Sequence, residues 1–187
     1  MKITSGKYKY RKIELPKGIR PTTEKVREAI FSMATGLLPG SSVLDLFAGS
    51  GAMGLEALSR GAKRCVFCEK ARHVQPTLLA NIENCKAGPE ASLIGKDYVS
   101  ALTELADRGE RFDIVIMDPP YEKTGYYPDA MQKLQELELL NEGAIVIAEH
   151  IYNNKLSEEY SDLVRVREKK YGSIGVDIYK LRENSED

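Results

Sequence analysis

Tryptophan is absent from this 187-residue chain, which holds only two histidines and three cysteines. His73 and His150 stand far apart, so no metal cluster and no histidine-paired nucleophile is legible. Cys65 and Cys68 form a CxxC with no second one to complete four zinc ligands. They fall in a predicted strand, where an odd offset sends them to opposite faces, so they read as small buried hydrophobes. With Cys85, they fit a reducing compartment. Long apolar runs are missing too: none approaches the ~18–20 residues needed to span a bilayer. The start, Met1 to Lys7, lacks the apolar core of a signal peptide. The expectation is a cytoplasmic protein with neither membrane segment nor metal.

What is present is an ordinary globular mixture, 42% hydrophobic and 29% charged, long enough for one domain with a short extension. The net charge of −1 conceals an asymmetry. Residues 1–27 hold nine Lys/Arg against Glu14 and Glu24, a net +7, which leaves −8 for the remainder. Cations clustered in this way, among them Lys7, Lys9, Arg11, Lys12 and Arg20, point to a nucleic-acid-binding arm that contacts phosphates. Tyr8 and Tyr10 are interleaved as rings for unpaired bases. The competing reading is a solvated hairpin whose lysines blunt an exposed edge.

Ile3–Ser5 and Tyr10–Leu15 read as a small hairpin with Gly6 in its bend. Thr22 is placed to cap a helix from Thr23 to about Thr35, with Val26, Ile30, Met33 and Leu37 on one face. Strands at 43–47, 64–69, 91–95, 112–117 and 143–148 then alternate with helices at 51–60, 71–85, 98–107 and 128–139. Such alternation predicts a parallel sheet with helices on both faces. Leu163–Lys169 and Ile174–Leu181, around Tyr171-Gly172-Ser173, read as a closing hairpin, and Glu183–Asp187 as a frayed polar end. Residues 1–38 are thus set apart as a basic extension and 39–187 as an α/β domain.

Two motifs carry chemistry. Val43-Leu44-Asp45-Leu46-Phe47-Ala48-Gly49-Ser50-Gly51 is a strand entering a glycine-rich turn. Gly49, Gly51 and Gly54 also satisfy the dinucleotide fingerprint, so NAD is weighed against S-adenosylmethionine. Glu69 suits ribose hydroxyls in either. Asp45, read as standing inside the turn, decides for the sulfonium cofactor, because its charge repels a pyrophosphate and suits a cationic amino-acid tail. Asp97 reads equally as an acceptor for the adenine amino group and as the N-cap of the next helix, with Tyr98 covering one face of the ring. Phe47, Ala48 and Lys70 complete the expected cofactor set. The second motif, Asp118-Pro119-Pro120-Tyr121, follows the apolar run Phe112–Met117. An acid at the carboxyl end of such a strand lies where open α/β sheets build their crevices. The prolines remove two N–H donors and leave carbonyls as acceptors, and Tyr121 adds a flat ring. Together they suit a planar group bearing an NH₂. The plain alternative is a rigid turn.

In this order, Asp45-Leu-Phe-Ala-Gly-Ser-Gly, Glu69, Asp97 and Asp118-Pro-Pro-Tyr resemble the motifs of class I S-adenosylmethionine-dependent methyltransferases acting on amino groups. Gly6-Lys-Tyr-Lys-Tyr-Arg-Lys and Arg20-Pro-Thr-Thr-Glu-Lys-Val-Arg-Glu-Ala-Ile-Phe sharpen the likeness to the RsmD family of bacterial 16S rRNA guanine-N2 methyltransferases, over about residues 3–181. The resemblance implies a doubly wound, mostly parallel, seven-stranded α/β sheet with an antiparallel strand near its end. It also implies S-adenosyl-L-methionine as cofactor and 16S rRNA as partner, within a small ribosomal subunit or assembly intermediate. On this reading Asp118, ionised at an unperturbed pKa of roughly 3.9, and the Pro119 carbonyl each accept an N–H of the guanine amine. Tyr121 stacks on the base. Three rivals stand beside it: a DNA adenine-N6 or cytosine-N4 methyltransferase, a protein glutamine-N5 methyltransferase (which typically carries Asn in place of Asp118), and a non-catalytic RNA-binding protein.

Overall fold

The structure, a computed structural model, describes residues 1–183. Its elements are α1 (Glu24–Met33), β1 (Ser42–Asp45), α2 (Ala52–Ser59), β2 (Arg64–Cys68), α3 (Gln75–Asn84), β3 (Ala91–Ile94), α4 (Tyr98–Asp107), β4 (Phe112–Met117), α5 (Tyr126–Glu136), β5 (Leu140–Ile151), β6 (Glu159–Tyr160), β7 (Leu163–Tyr171) and β8 (Ile174–Leu181). One sheet runs in the order β3-β2-β1-β4-β5-β8-β7-β6. The first five strands in that order pair in parallel and the last three antiparallel. The strand beyond the seven expected is the two-residue β6. Of the polar end Glu183–Asp187, residues 184–187 lie outside the described residues. No helix among the described residues is long and apolar enough to cross a membrane.

The central strands are apolar on both faces because helices cover both. Val43, Cys65, Phe67, Ile114 and Ile116 join the core with α1, α2 and α3. Their alternates Leu44, Val66, Cys68, Val115 and Met117 join the core with α4 and α5. Cys65 and Cys68 therefore sit on opposite faces as free, buried thiols.

The expected amino-terminal hairpin forms in a short version. Lys2 bridges Lys12, Ile3 N–H donates to the Arg11 carbonyl at 3.0 Å, Tyr10 N–H to the Ile3 carbonyl at 2.9 Å and Ile13 N–H to the Met1 carbonyl at 2.8 Å, while the residues between turn to α2. Thr4 and Ser5 N–H donate to Glu56, and Lys7 and Tyr8 N–H to Ser59. Gly6 bends the chain at φ 88°, and a Cβ there would lie 1.9 Å from the Ser59 carbonyl oxygen. Ile3, Tyr8 and Ile13 are buried in the same core as Val26, Ile30 and Leu55, so the segment is packed on the sheet's helical layer. Glu56 also pairs with Arg27 at 3.0 Å and Arg60 at 3.1 Å, both its own and the Arg27 side chain being fully buried.

Other boundaries move for local reasons. Thr23 caps α1, accepting from the Val26 N–H at 3.3 Å; Thr22, the expected cap, is engaged elsewhere. The buried face of α1 is Val26, Arg27, Ile30 and Phe31: Val26 and Ile30 are as expected, while Met33 and Leu37, the latter past the helix end, are half-buried against the same core. Pro76 fixes the first turn of α3, which starts at Gln75 after a tight turn at 72–74.

Candidate active site

β1 and β4 lie side by side where the strand order reverses, the position at which an open sheet leaves a crevice beyond its carboxyl ends. A cavity of about 600 Å³ opens there. The turn after β1 bounds it. Gly49 (φ 54°) and Gly51 (φ 84°) adopt left-handed backbone, and a Cβ on Gly51 would meet Leu78 Cδ1 at 2.4 Å. Asp45 is the last residue of β1 and not part of the turn. Its buried carboxylate accepts the Gly54 N–H at 3.1 Å and so ties β1 to α2. Burial, with a smaller contribution from Glu69, pushes its pKa up to about 7. Glu69 braces the other side, taking the Gly49 N–H at 2.9 Å and the Ala71 N–H at 2.8 Å.

Asp97 takes the capping role that was one of its two readings. It accepts from the Ser100 N–H at 3.0 Å and the Ser100 hydroxyl at 2.9 Å, bonds that hold its carboxyl below the usual range. It lines the crevice at the same time. Beside it three rings form a wall: Tyr126 lies 5.9 Å from Phe47, nearly parallel at 13°, and 4.8 Å from Tyr98. Tyr98 donates its hydroxyl to Asp129. Tyr126 escaped sequence reading because α5 begins two residues earlier than its apolar pattern indicates.

Asp118 follows β4 directly and faces the crevice with Pro119, Pro120 and Tyr121. The Arg20 guanidinium sits 5.2 Å from the Tyr121 ring centroid. Met117 pairs in register with Ala148, so Asp118, just past β4, and Glu149, two residues before the end of β5, are adjacent acids. Thr22 donates to Glu149 Oε2 at 2.5 Å. Burial first, then the charges of Glu149 and Asp45, raise the Asp118 pKa well above the carboxylate range. Burial likewise raises Glu149, against the Thr22 bond. The ordinary pKa expected for Asp118 from sequence is thereby corrected upward: three mutually repelling acids lie behind one crevice wall.

Asp118, Pro119, Pro120, Tyr121, Asp45, Phe47, Ala48, Gly49, Glu69, Lys70, Asp97 and Tyr98 all line this one crevice. Gly51 does not; it packs beneath, against Leu78. Of the five cations singled out, Arg20 alone lines it. Lys7 pairs with Glu90 at 2.5 Å, Arg11 donates to the Asn84 carbonyl at 3.0 Å, Lys12 lies 3.3 Å from Glu14, and Lys9 lies 5.0 Å from the Tyr10 ring centroid. Ser59, Asn84 and Glu90 mark the amino edge of the sheet, so this group lies about one length of α2 from the crevice, ~12 Å at 1.5 Å per residue. Tyr8 is buried and donates to Glu90 at 2.8 Å, which removes it as a stacking ring; Tyr10 is 71% exposed. His150 stays outside the crevice, its nitrogens facing the Ile151 carbonyl at 2.8 Å and Asp177 at 3.0 Å. No group of three or more acidic, His or Cys side chains is placed to hold a metal among the described residues.

The donor set fits S-adenosylmethionine. Glu69 and Asp97 offer acceptors for ribose hydroxyls and an adenine amine, the glycine turn admits a close ligand, and Phe47, Tyr98 and Tyr126 supply rings for a purine. Comparison with known proteins agrees. The family model described as "Conserved hypothetical protein 95" matches residues 1–180. Bacillus subtilis YlbH is 37% identical over 184 residues, covering 97% of this chain and 100% of that protein. Ribosomal RNA small subunit methyltransferase D of Escherichia coli K12 is 32% identical over 188 residues, covering 100% of this chain and 92% of that one. The solved structure of Escherichia coli yhhF superposes with a TM-score of 0.85 at 33% identity, covering 98% of this chain and 99% of that one. The chain belongs to the Conserved hypothetical protein 95 family, the RsmD family whose motif order it carries.

Proposed function

We propose that this protein transfers a methyl group from S-adenosyl-L-methionine to the exocyclic N2 amine of a guanine in 16S rRNA, presented by a small subunit or its assembly intermediate. The carrying observation is that Asp118-Pro119-Pro120-Tyr121 shares one crevice with the glycine turn, Glu69 and Asp97. The name of the Escherichia coli relative supports ribosomal RNA of the small subunit as substrate. When bound, the cofactor supplies an electrophilic methyl on a sulfonium. Glu69 and Asp97 would hold its hydroxyls and adenine amine, the turn N–H groups its carboxylate end, and Phe47, Tyr98 and Tyr126 its ring. Asp118 and the Pro119 carbonyl would each accept an N–H of the guanine amine, freeing a lone pair that is otherwise delocalised into the ring. Charge develops on that nitrogen as it is alkylated, so the carboxylate binds the transition state better than the ground state. The raised Asp118 pKa makes the ionised form a stronger acceptor for the proton the amine releases. Tyr121 would stack on the base, which must leave its neighbours to enter. Lys7, Lys9, Arg11 and Lys12 of segment 1–38 form a more distant phosphate footing in this reading.

Asp118→Asn tests it. Transfer of labelled methyl to rRNA should fall by at least about 10²-fold, the scale on which positioned acid–base groups act. Binding of S-adenosylhomocysteine by calorimetry should stay within a few-fold. Retained turnover would sink the assignment, and methylation of DNA in place of RNA would move the protein to the amino methyltransferases of DNA.

A further inference from the structure

Tyr121 belongs to two cavities. Besides the crevice it lines a second one of about 240 Å³, and no other residue is shared between them. Asn154, Lys155, Leu156 and Ser157, from the segment after β5, face Thr124 and Tyr160 across this space. Its volume lies below the ~300–1,000 Å³ of drug-sized sites, which suits one base and excludes a stacked pair.

Lys155 lines this cavity, and strand direction places further cations at the same edge of the sheet. β5 is parallel to β1 and β4, so the chain after Ile151 emerges at the carboxyl edge beside the crevice. β7 ends at the same edge, being antiparallel to β8, which is antiparallel to β5. Lys155 and Lys170 converge there on Tyr152, their Nζ atoms 3.4 and 4.6 Å from its ring centroid. Glu168 neutralises Lys155 at 3.0 Å and Arg165 at 3.4 Å. Lys169 and Lys170 have no carboxylate within ion-pair distance among the described residues, and both are exposed. Of the amino-terminal cations, four lie at the opposite edge and Arg20 lines the crevice itself, so Lys155 and Lys170 are a cationic group on the second cavity's side of Tyr121.

We propose that the second cavity is a nucleotide subsite: it takes an unpaired base adjacent to the target guanine, whose phosphate rests on Lys155 and Lys170. The inference builds on the RNA-methylation reading above. Tyr121 then separates two bases of one strand, each on its own side of the ring, and an aromatic wall with a nearby cation pair is the combination that single-stranded RNA recognises.

The test uses the full chain and a fluorescein-labelled RNA hairpin with unpaired guanines in its loop. Lys155→Ala with Lys170→Ala should weaken binding by about tenfold and lower the slope of log Kd against log salt by about 1–2, one per lost phosphate contact. Asn154→Trp, which fills the cavity, should raise KM several-fold. Lys63→Ala with Arg111→Ala, at the amino edge, should match wild type, and S-adenosylhomocysteine affinity should hold throughout. Double-variant binding equal to that control overturns the subsite. So does a loss seen with assembled particles and not with the hairpin, which would make this a protein-docking face. Wild-type protein that binds the hairpin through Lys155 yet transfers no methyl to it or to small-subunit particles would remove the catalytic reading and keep the subsite.

Discussion

Asp118 and Glu149 are adjacent acids with few cations near them, and their proximity sets how the site should respond to pH. Like charges in a partly buried site cannot both ionise cheaply, so each acid raises the pKa of the other. Glu149→Gln keeps an oxygen for the Thr22 hydroxyl and removes the charge. The Asp118 pKa should then fall, so the acid limb of the pH profile of kcat/KM should move to lower pH, by about one unit for a neighbouring like charge. An unmoved limb would show that the two acids do not communicate. Asp118 was legible from sequence because its motif is contiguous. Glu149 carries the same signature, an acid closing the apolar run Ala144–Ala148, but its meaning comes from Thr22, 127 positions away. No local pattern reports that pairing.

At the scale of elements, α2 does two tasks: its amino end closes the glycine turn that bounds the crevice and its carboxyl half holds the amino-terminal segment. Glu56 is the pivot, accepting from Thr4 and Ser5 while paired with Arg27 and Arg60. Glu56→Ala leaves buried Arg27 without its countercharge, and breaking such a pair costs about 3–5 kcal/mol. Urea unfolding should show a loss on that scale, and a change below about 1 kcal/mol would mean solvent reaches the cluster. The βα alternation was readable because each strand is a short apolar run bounded by turns. The hairpin at residues 3–15 was legible in outline but not in extent: Ile3 and Tyr10 to Ile13 pair, while Glu56 and Ser59 take the N–H groups of Thr4, Ser5, Lys7 and Tyr8. Propensity cannot foresee an acceptor supplied by another helix.

For the whole molecule, the division at residue 38 is one of proposed task and not of packing. Ile3, Tyr8 and Ile13 lie in the core with α1 and α2. Deleting residues 1–14 should therefore abolish the cooperative thermal transition and S-adenosylhomocysteine binding together; a stably folded, ligand-binding remainder would contradict the packing described here. The charge asymmetry was visible in the sequence, yet its layout was not, since topology sends four of those cations to the edge away from the crevice. There is a consequence for biosynthesis in the contact between Tyr8 and Glu90, 82 positions further on. A nascent chain elongating at about 5–20 residues per second carries its cationic leader unsecured for several seconds before the acceptor emerges. Completion of the fold waits on the middle of the message, and until then the ribosome's own RNA is the nearest polyanion to that leader.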